Sequence, residues 1–209
     1  MPEFEADLES LCKLAKKLGA SNAVSFDAQK VVVDERVRLK CSVPICDDYG
    51  ISLMCPPNVM SVDEFRRILT RYKHAILMQI ETPLPNEMRK EIKKAEDVAT
   101  LYRSDLFLKS YKKYFDPVKL KLHRTVCKME AEAFKLGYRF AVGFIAGSCK
   151  LCPACVTVNS GKPCRHPFQA RPSMEAVGID AFQTAANAGL PFSIPLKNKI
   201  VWNGLVLVD

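Results

Sequence analysis

The chain has 209 residues, 31 Lys+Arg against 23 Asp+Glu, a formal net charge of +8, and nine cysteines. That length suits one compact domain, and 48% hydrophobic residues supply an ordinary core, so cysteine staples are not needed to hold a very small fold. The 26% charged content argues against disorder, and no apolar run approaches the roughly 20 residues that span a bilayer. The start, Met1 to Glu5, lacks the basic and apolar stretches of a signal peptide. A cytoplasmic location is expected, where cysteines stay reduced.

In chain order, residues 3–18 place Leu8, Leu11, Cys12, Ala15 and Leu18 at helical spacing, with Gly19 as the stop. Cys12 reads as core filling. Val24, Phe26 and Ala28 alternate like a strand, and Val31, Val33, Val37 and Leu39 extend the alternation into Cys41, with an interruption at Asp34-Glu35. From Cys41 to Asn58 the chain carries loop residues: Pro44, Asp47-Asp48, Gly50 and Pro56-Pro57. Ser61 to Glu64 is a capping box that opens a helix to about Tyr72. His74 to Ile80 reads as a short buried strand, broken at Thr82 to Pro85.

Residues 86–116 form a long helical pattern with Ile92, Ala95, Ala99, Tyr102 and Leu106 on one face, punctuated by Pro117. A second helix turns Leu122, Val126, Met129 and Ala133 inward and stops at Gly137; Cys127 adjoins that face as core. Tyr138 to Ala146 reads as a central strand leading to Cys149. A helix is expected from Pro172 to about Ala188, closed by Gly189. Lys199 to Val208 reads as a final strand, or as a hairpin turning at Asn203-Gly204. Together these predict one domain over 1–209 of α/β or α+β class. A small mixed sheet is flanked by helices, cysteine-rich loops form the metal or cluster site, and a long basic helical insertion occupies about 86–136.

Seven cysteines fall into two groups. Cys149, Cys152 and Cys155 form a C-x2-C-x2-C run, with Cys164 nine positions on. Three thiolates at that spacing cap three irons of a cubane, and a more distant cysteine holds the fourth. A single zinc more often takes two separate C-x2-C knuckles. A [4Fe–4S] cluster is therefore expected, with zinc as the alternative. Cys41, Cys46 and Cys55 form the other group. Seven thiolates are one short of two complete cubanes, which leaves three outcomes. A second cluster has an open iron, His166 is the eighth ligand, or the first group supports a single cluster. Pairing stays open, because a cysteine before proline, as at Cys55-Pro56, can serve another cluster.

Several stretches carry a family resemblance. They are Arg38-Leu39-Lys40-Cys41, Pro44-x-Cys46, Tyr49-Gly50, Cys55-Pro56-Pro57, the C-x2-C-x2-C run, and Cys164-Arg165-His166-Pro167 followed by Ala170 to Ala176. Over roughly residues 30 to 190 the chain resembles an uncharacterised family of predicted metal-binding, cysteine-rich proteins of anaerobic microbes. The resemblance implies metal or iron–sulfur binding at the seven cysteines and an anaerobic cytosol. It implies no reaction.

Arg165, His166 and Arg171 flank the second group just before the expected helix start, as donors that offset the negative charge of a thiolate-rich cluster or as an anion site for a small molecule or sulfide. Asp47, Asp48 and Tyr49 stand near the first group, where they read as a turn or as proton carriers. Residues 89–128 hold 12 Lys+Arg against five Asp+Glu, interleaved with Tyr102, Phe107, Tyr111, Tyr114 and Phe115. A solvated face or an acidic redox protein partner is favoured there over nucleic acid. No Walker A, G-x-G-x-x-G, H-E-x-x-H or C-x3-C-x2-C motif is present, so whether the protein is an enzyme stays open. The expected function is electron transfer, or small redox or sulfur chemistry at a cluster with an open iron. The alternatives are a zinc-stabilised binding module for nucleic acid or protein, and a metal or cluster carrier.

Overall fold

Two long strands, apolar on both faces, organise the molecule. The structure, a computed structural model, describes residues 2–43, 46–96, 104–192 and 199–209. Strands β1 (Asn22–Asp27), β2 (His74–Pro83), β3 (Val142–Phe144) and β4 (Lys199–Val208) form one sheet in the order β1-β2-β4-β3, each neighbouring pair antiparallel. Among the described residues there are six α-helices: α1 (Pro2–Lys17), α2 (Glu35–Ser42), α3 (Val62–Leu69), α4 (Asn86–Lys94), α5 (Asp105–Lys135) and α6 (Ala181–Asn187).

Both faces of the sheet are covered. Ile76, Met78 and Ile80 of β2, with Val206 and Val208 of β4, turn to one side and pack on α1 and α5. Ala75, Leu77, Leu205 and Leu207 turn to the other side, against Phe65 and Leu69 of α3, Met174, Val177 and Ile179, and Ala185 of α6. The period of two in the strands dictates this division. Leu122, Val126, Met129 and Ala133 of α5 are fully enclosed as their spacing requires. Burying each of the three larger side chains contributes about 1.5–3 kcal/mol. The C-terminal half of the basic helical stretch is thus core rather than appendage. Its N-terminal half joins α4 through a smaller cluster of Leu84, Met88, Phe107 and Phe115 against Tyr111 and Trp202.

Several local expectations change. The strand expected through Val37 and Leu39 is helix α2, because the Asp34 side chain accepts the Arg36 amide at 2.8 Å and starts a helix there. The chain does not break at Pro117, which lies inside α5. The helix starts instead at Asp105, where Ser104 Oγ accepts the Phe107 N–H at 3.2 Å. Residues 97–103, with the expected helix-face positions Ala99 and Tyr102, lie outside the described residues, as does Pro44. Tyr138–Ala146 supplies three strand residues at a sheet edge, not a central strand. β4 runs straight through Asn203-Gly204, opposite Gln79 and Met78, with no hairpin. Gly204 is needed there for clearance, since a Cβ would lie 2.7 Å from Val126 Cγ2.

The helix expected from Pro172 starts only at Ala181. Asp180 Oδ1 accepts the Phe182 and Gln183 amides at 2.9 and 3.0 Å and caps it. Residues 175–177 form a 3₁₀ turn closed by Gly178 at φ +86°. The anion site expected at a helix N-terminus near Pro172 therefore has no helix behind it.

Candidate metal centre

The residue after β3 makes one further bridge before the chain bends at 146–148. Ile145 bridges Ser173 in parallel, with the Ile145 N–H donating to Pro172 O at 3.1 Å and the Met174 N–H to Ile145 O at 2.9 Å. This brings the start of the second cysteine group and the 173–177 turn to one end of the sheet. The loop after α2 folds onto the same end, where the Val158 N–H donates to Ile51 O at 2.9 Å.

The seven cysteines sort into two cavities. Cys149, Cys152, Cys155 and Cys164 line a small one of about 30 Å³, together with Ser52, Leu53, Met54, Arg165 and His166. Cys41, Cys46 and Cys55 line a large one of about 680 Å³ with Glu175, Tyr49, Lys119 and Lys150. A shared wall separates them. Ser148 and Lys150 face the large cavity while Cys149 and Leu151 face the small one, and Ser52–Met54 and Cys55-Pro56 divide in the same way. All nine cysteines are free thiols, and among the described residues no three His, Cys, Asp or Glu side chains gather tightly enough to hold one metal ion. The donors line walls rather than meeting at a point.

Backbone N–H groups surround the sulfurs of the small cavity. Burial pushes the Cys155 thiol up, but the Leu53, Thr157 and Val156 amides and the Ser52 hydroxyl outweigh it and hold it below the ordinary thiol value. Thr157 sits at φ 67° and ψ 153°, a region otherwise left to glycine, and holding it there costs about 1–3 kcal/mol. The Leu151 amide reaches Cys149, and the His166 N–H reaches Cys164 Sγ at 3.3 Å. Burial still leaves Cys149 raised. N–H donors aimed at sulfur stabilise thiolate, the form that binds metal. Three of the four thiols are so supported, and thiolate donors suit a thiophilic metal or an iron–sulfur core.

The large cavity differs. Burial raises the Cys41 thiol, and the nearby Cys46 and Glu175 charges add to it. Burial, then Asp48 and the neighbouring thiols, push Cys55 up to about 12. Burial likewise raises the Glu175 carboxyl, offset in part by its own amide, the Ser173 hydroxyl and the Gly147 amide. Its Oε2 is enclosed without a hydrogen-bond partner. Lys119 is 8% exposed, salt-bridged to Asp116 at 2.9 Å and stacked over the Tyr111 ring.

Arg165 donates to Ala154 O at 2.8 Å and braces the cysteine loop. His166 lies at the small cavity, apart from Cys41, Cys46 and Cys55. Arg171 is committed elsewhere: its Nε donates to Glu130 Oε2 at 2.7 Å, its Nη2 pairs with the other carboxylate oxygen, and further donors reach Ala170 O and Phe168 O. It clamps the exit of the cysteine loop to α5. Cys12 and Cys127 are half-buried outside both cavities, with thiols raised by burial. Sequence reasoning missed Glu175, Glu130 and the Leu53 amide. A carboxylate amid Met174, Ala176 and Val177 was the one local sign of the first.

Among the described residues no helix is long and apolar enough to cross a membrane. No curated protein and no solved structure matches the chain significantly. One family model, that of a predicted metal-binding protein (DUF2284), matches residues 24–208, a span that takes in all seven cavity cysteines. The chain belongs to that family of predicted metal-binding proteins.

Proposed function

We propose that the protein is an iron–sulfur protein. Cys149, Cys152, Cys155 and Cys164 hold a [4Fe–4S] cluster, and Cys41, Cys46 and Cys55 belong to a second, separate centre. The observation that carries this reading is the set of four thiols around one cavity with five backbone amides directed at three of the sulfurs. Hydrogen bonds to cluster sulfurs are a principal means of tuning potential. When bound, such clusters supply one-electron chemistry. The wall shared by the two cavities would set two centres side by side, which suits passing electrons from one to the other. The larger cavity leaves room for a small substrate at the three-cysteine centre. The lysine-rich face of α4 and α5 would steer an acidic redox partner, and the free thiols suit a reducing cytoplasm.

A single zinc ion is the second reading, favoured by the small volume of the four-cysteine cavity, about 30 Å³. Anaerobic purification with analysis of iron, acid-labile sulfide and zinc separates the two. Visible absorption near that of cubane clusters with matching sulfide supports the proposal. A colourless protein with stoichiometric zinc and no sulfide refutes it.

A further inference from the structure

Four ligands complete either a cubane or a tetrahedral zinc site, and the three-cysteine cavity supplies only three thiols. Its other walls hold several oxygen donors, among them Asp47, Asp48 and Tyr49 of the loop that carries Cys46 and Cys55. Asp116 is paired with Lys119. Asp180 caps α6 through Oδ1. His166 lines the other cavity. Glu175 is set apart from Asp47 and Asp48 by one enclosed carboxyl oxygen that meets no donor. Burying such an oxygen unpartnered is unfavourable, so its retention points to a partner that binding brings.

Local structure holds Glu175 beside the thiols. Cys41 lies in the last turn of α2, and α2 packs on the 175–177 turn. The Asp34 N–H donates to Gly178 O at 2.8 Å and pins the helix start to that turn. The Glu175 charge is felt at Cys41.

We propose that Glu175 is the fourth ligand of the Cys41, Cys46 and Cys55 centre. This deepens the reading of a second centre and rests on it. The metal is an iron of a cluster or one thiophilic ion, and the carboxylate donates through oxygen. Binding releases the thiol protons and any carboxyl proton to solvent, with no change of oxidation state. Carboxylate is a harder ligand than thiolate, so it is the one of the four most readily exchanged at such a metal. The Glu175 position is therefore where a small molecule in the large cavity would reach the metal.

The test compares wild-type protein with Glu175→Gln, Glu175→Cys and Cys41→Ser, all purified without oxygen, by metal and sulfide analysis and by EPR after reduction. Glu175→Gln should lose the same share of metal as Cys41→Ser, about four of eight irons if both centres are cubanes, and keep the signal of the four-cysteine centre. Glu175→Cys should retain the metal with a shifted second signal, since a fourth thiolate changes the ligand field. Full metal content with an unchanged spectrum in Glu175→Gln overturns the proposal. If Glu175→Gln does not fold, a Glu175→Cys spectrum identical to wild type overturns it. Zinc in place of iron would sink the iron–sulfur reading alone, and halving of that zinc in Glu175→Gln would still support the fourth ligand. A wild-type metal content unaffected by Cys41→Ser removes the second centre and this proposal with it, while the four-cysteine cluster stands.

Discussion

Glu130→Ala should be among the most damaging single substitutions away from the cysteines. The Glu130 carboxylate holds three elements together: it sits on α5, receives Arg171 from the exit of the cysteine loop, and accepts the Gly143 N–H of β3 at 2.8 Å. The two side chains are only 16% and 18% exposed. Removing one member of a buried pair costs about 3–5 kcal/mol, because the remaining charge is left without a counterpart. Residual exposure lets water reach the guanidinium, and Arg171 keeps its bonds to Ala170 O and Phe168 O, so the lower end applies: about 3 kcal/mol, including about 1 for the orphaned Gly143 amide. For a chain of this size that lowers Tm by about 6–12 °C. The assay is anaerobic urea unfolding of Glu130→Ala, Arg171→Ala and the double variant, at matched metal content, since bound metal itself shifts stability. The coupling energy should be about 2–3 kcal/mol. A loss below about 1 kcal/mol in Glu130→Ala, or coupling near zero, would show that the pair behaves as an exposed one and refute the reasoning.

Two further outcomes follow from the packing around α5. Gly204→Ala places a Cβ 2.7 Å from Val126 Cγ2 and 3.1 Å from Leu122 Cδ1, so it should destabilise by about 1–3 kcal/mol, with much of that recovered in Gly204→Ala/Val126→Ala. Wild-type denaturation midpoints for Gly204→Ala would contradict the close approach. His123 is 1% exposed and its Nε2 meets Gln169 O at 2.8 Å; burial first, and then Arg171, hold its pKa below the ordinary value despite that hydrogen bond. The unfolded chain then binds the proton more readily than the native one. Stability should rise with pH across the window between the native value and about 6.5, and fall on acidification through it. The slope from this one group is at most about 1.4 kcal/mol per pH unit, and His123→Leu should flatten the urea midpoint over that window. An acid-side slope the same in both proteins would count against it.

Much of this was legible locally. The capping box at Ser61, the Gly19 and Gly137 stops, the inward stripe from Leu122 to Ala133 and the short buried apolar run of β2 are signals of a few residues, and each acts at its own place. The errors fell where a short polar residue outweighed an apolar pattern. Asp34 and Asp180 cap helices that hydrophobic periodicity set as a strand or started too early. Pro117 misled for the opposite reason: α5 packs along enough of its length to hold a residue that costs about 3 kcal/mol in a free helix.

The sequence by itself determined which seven cysteines matter, because their spacing is a property of the chain, and it left Cys12 and Cys127 to helix faces. It could not divide the seven. The split into four and three depends on which cavity each residue from 148 to 151 faces, and on Ser52 to Pro56 folding across to form the other half of the wall. Nor could it find Glu175, whose meaning comes from α2 packing on the 175–177 turn. Ligand type is written in local sequence; ligand grouping is set by contacts between segments far apart in the chain, and only the folded structure makes those.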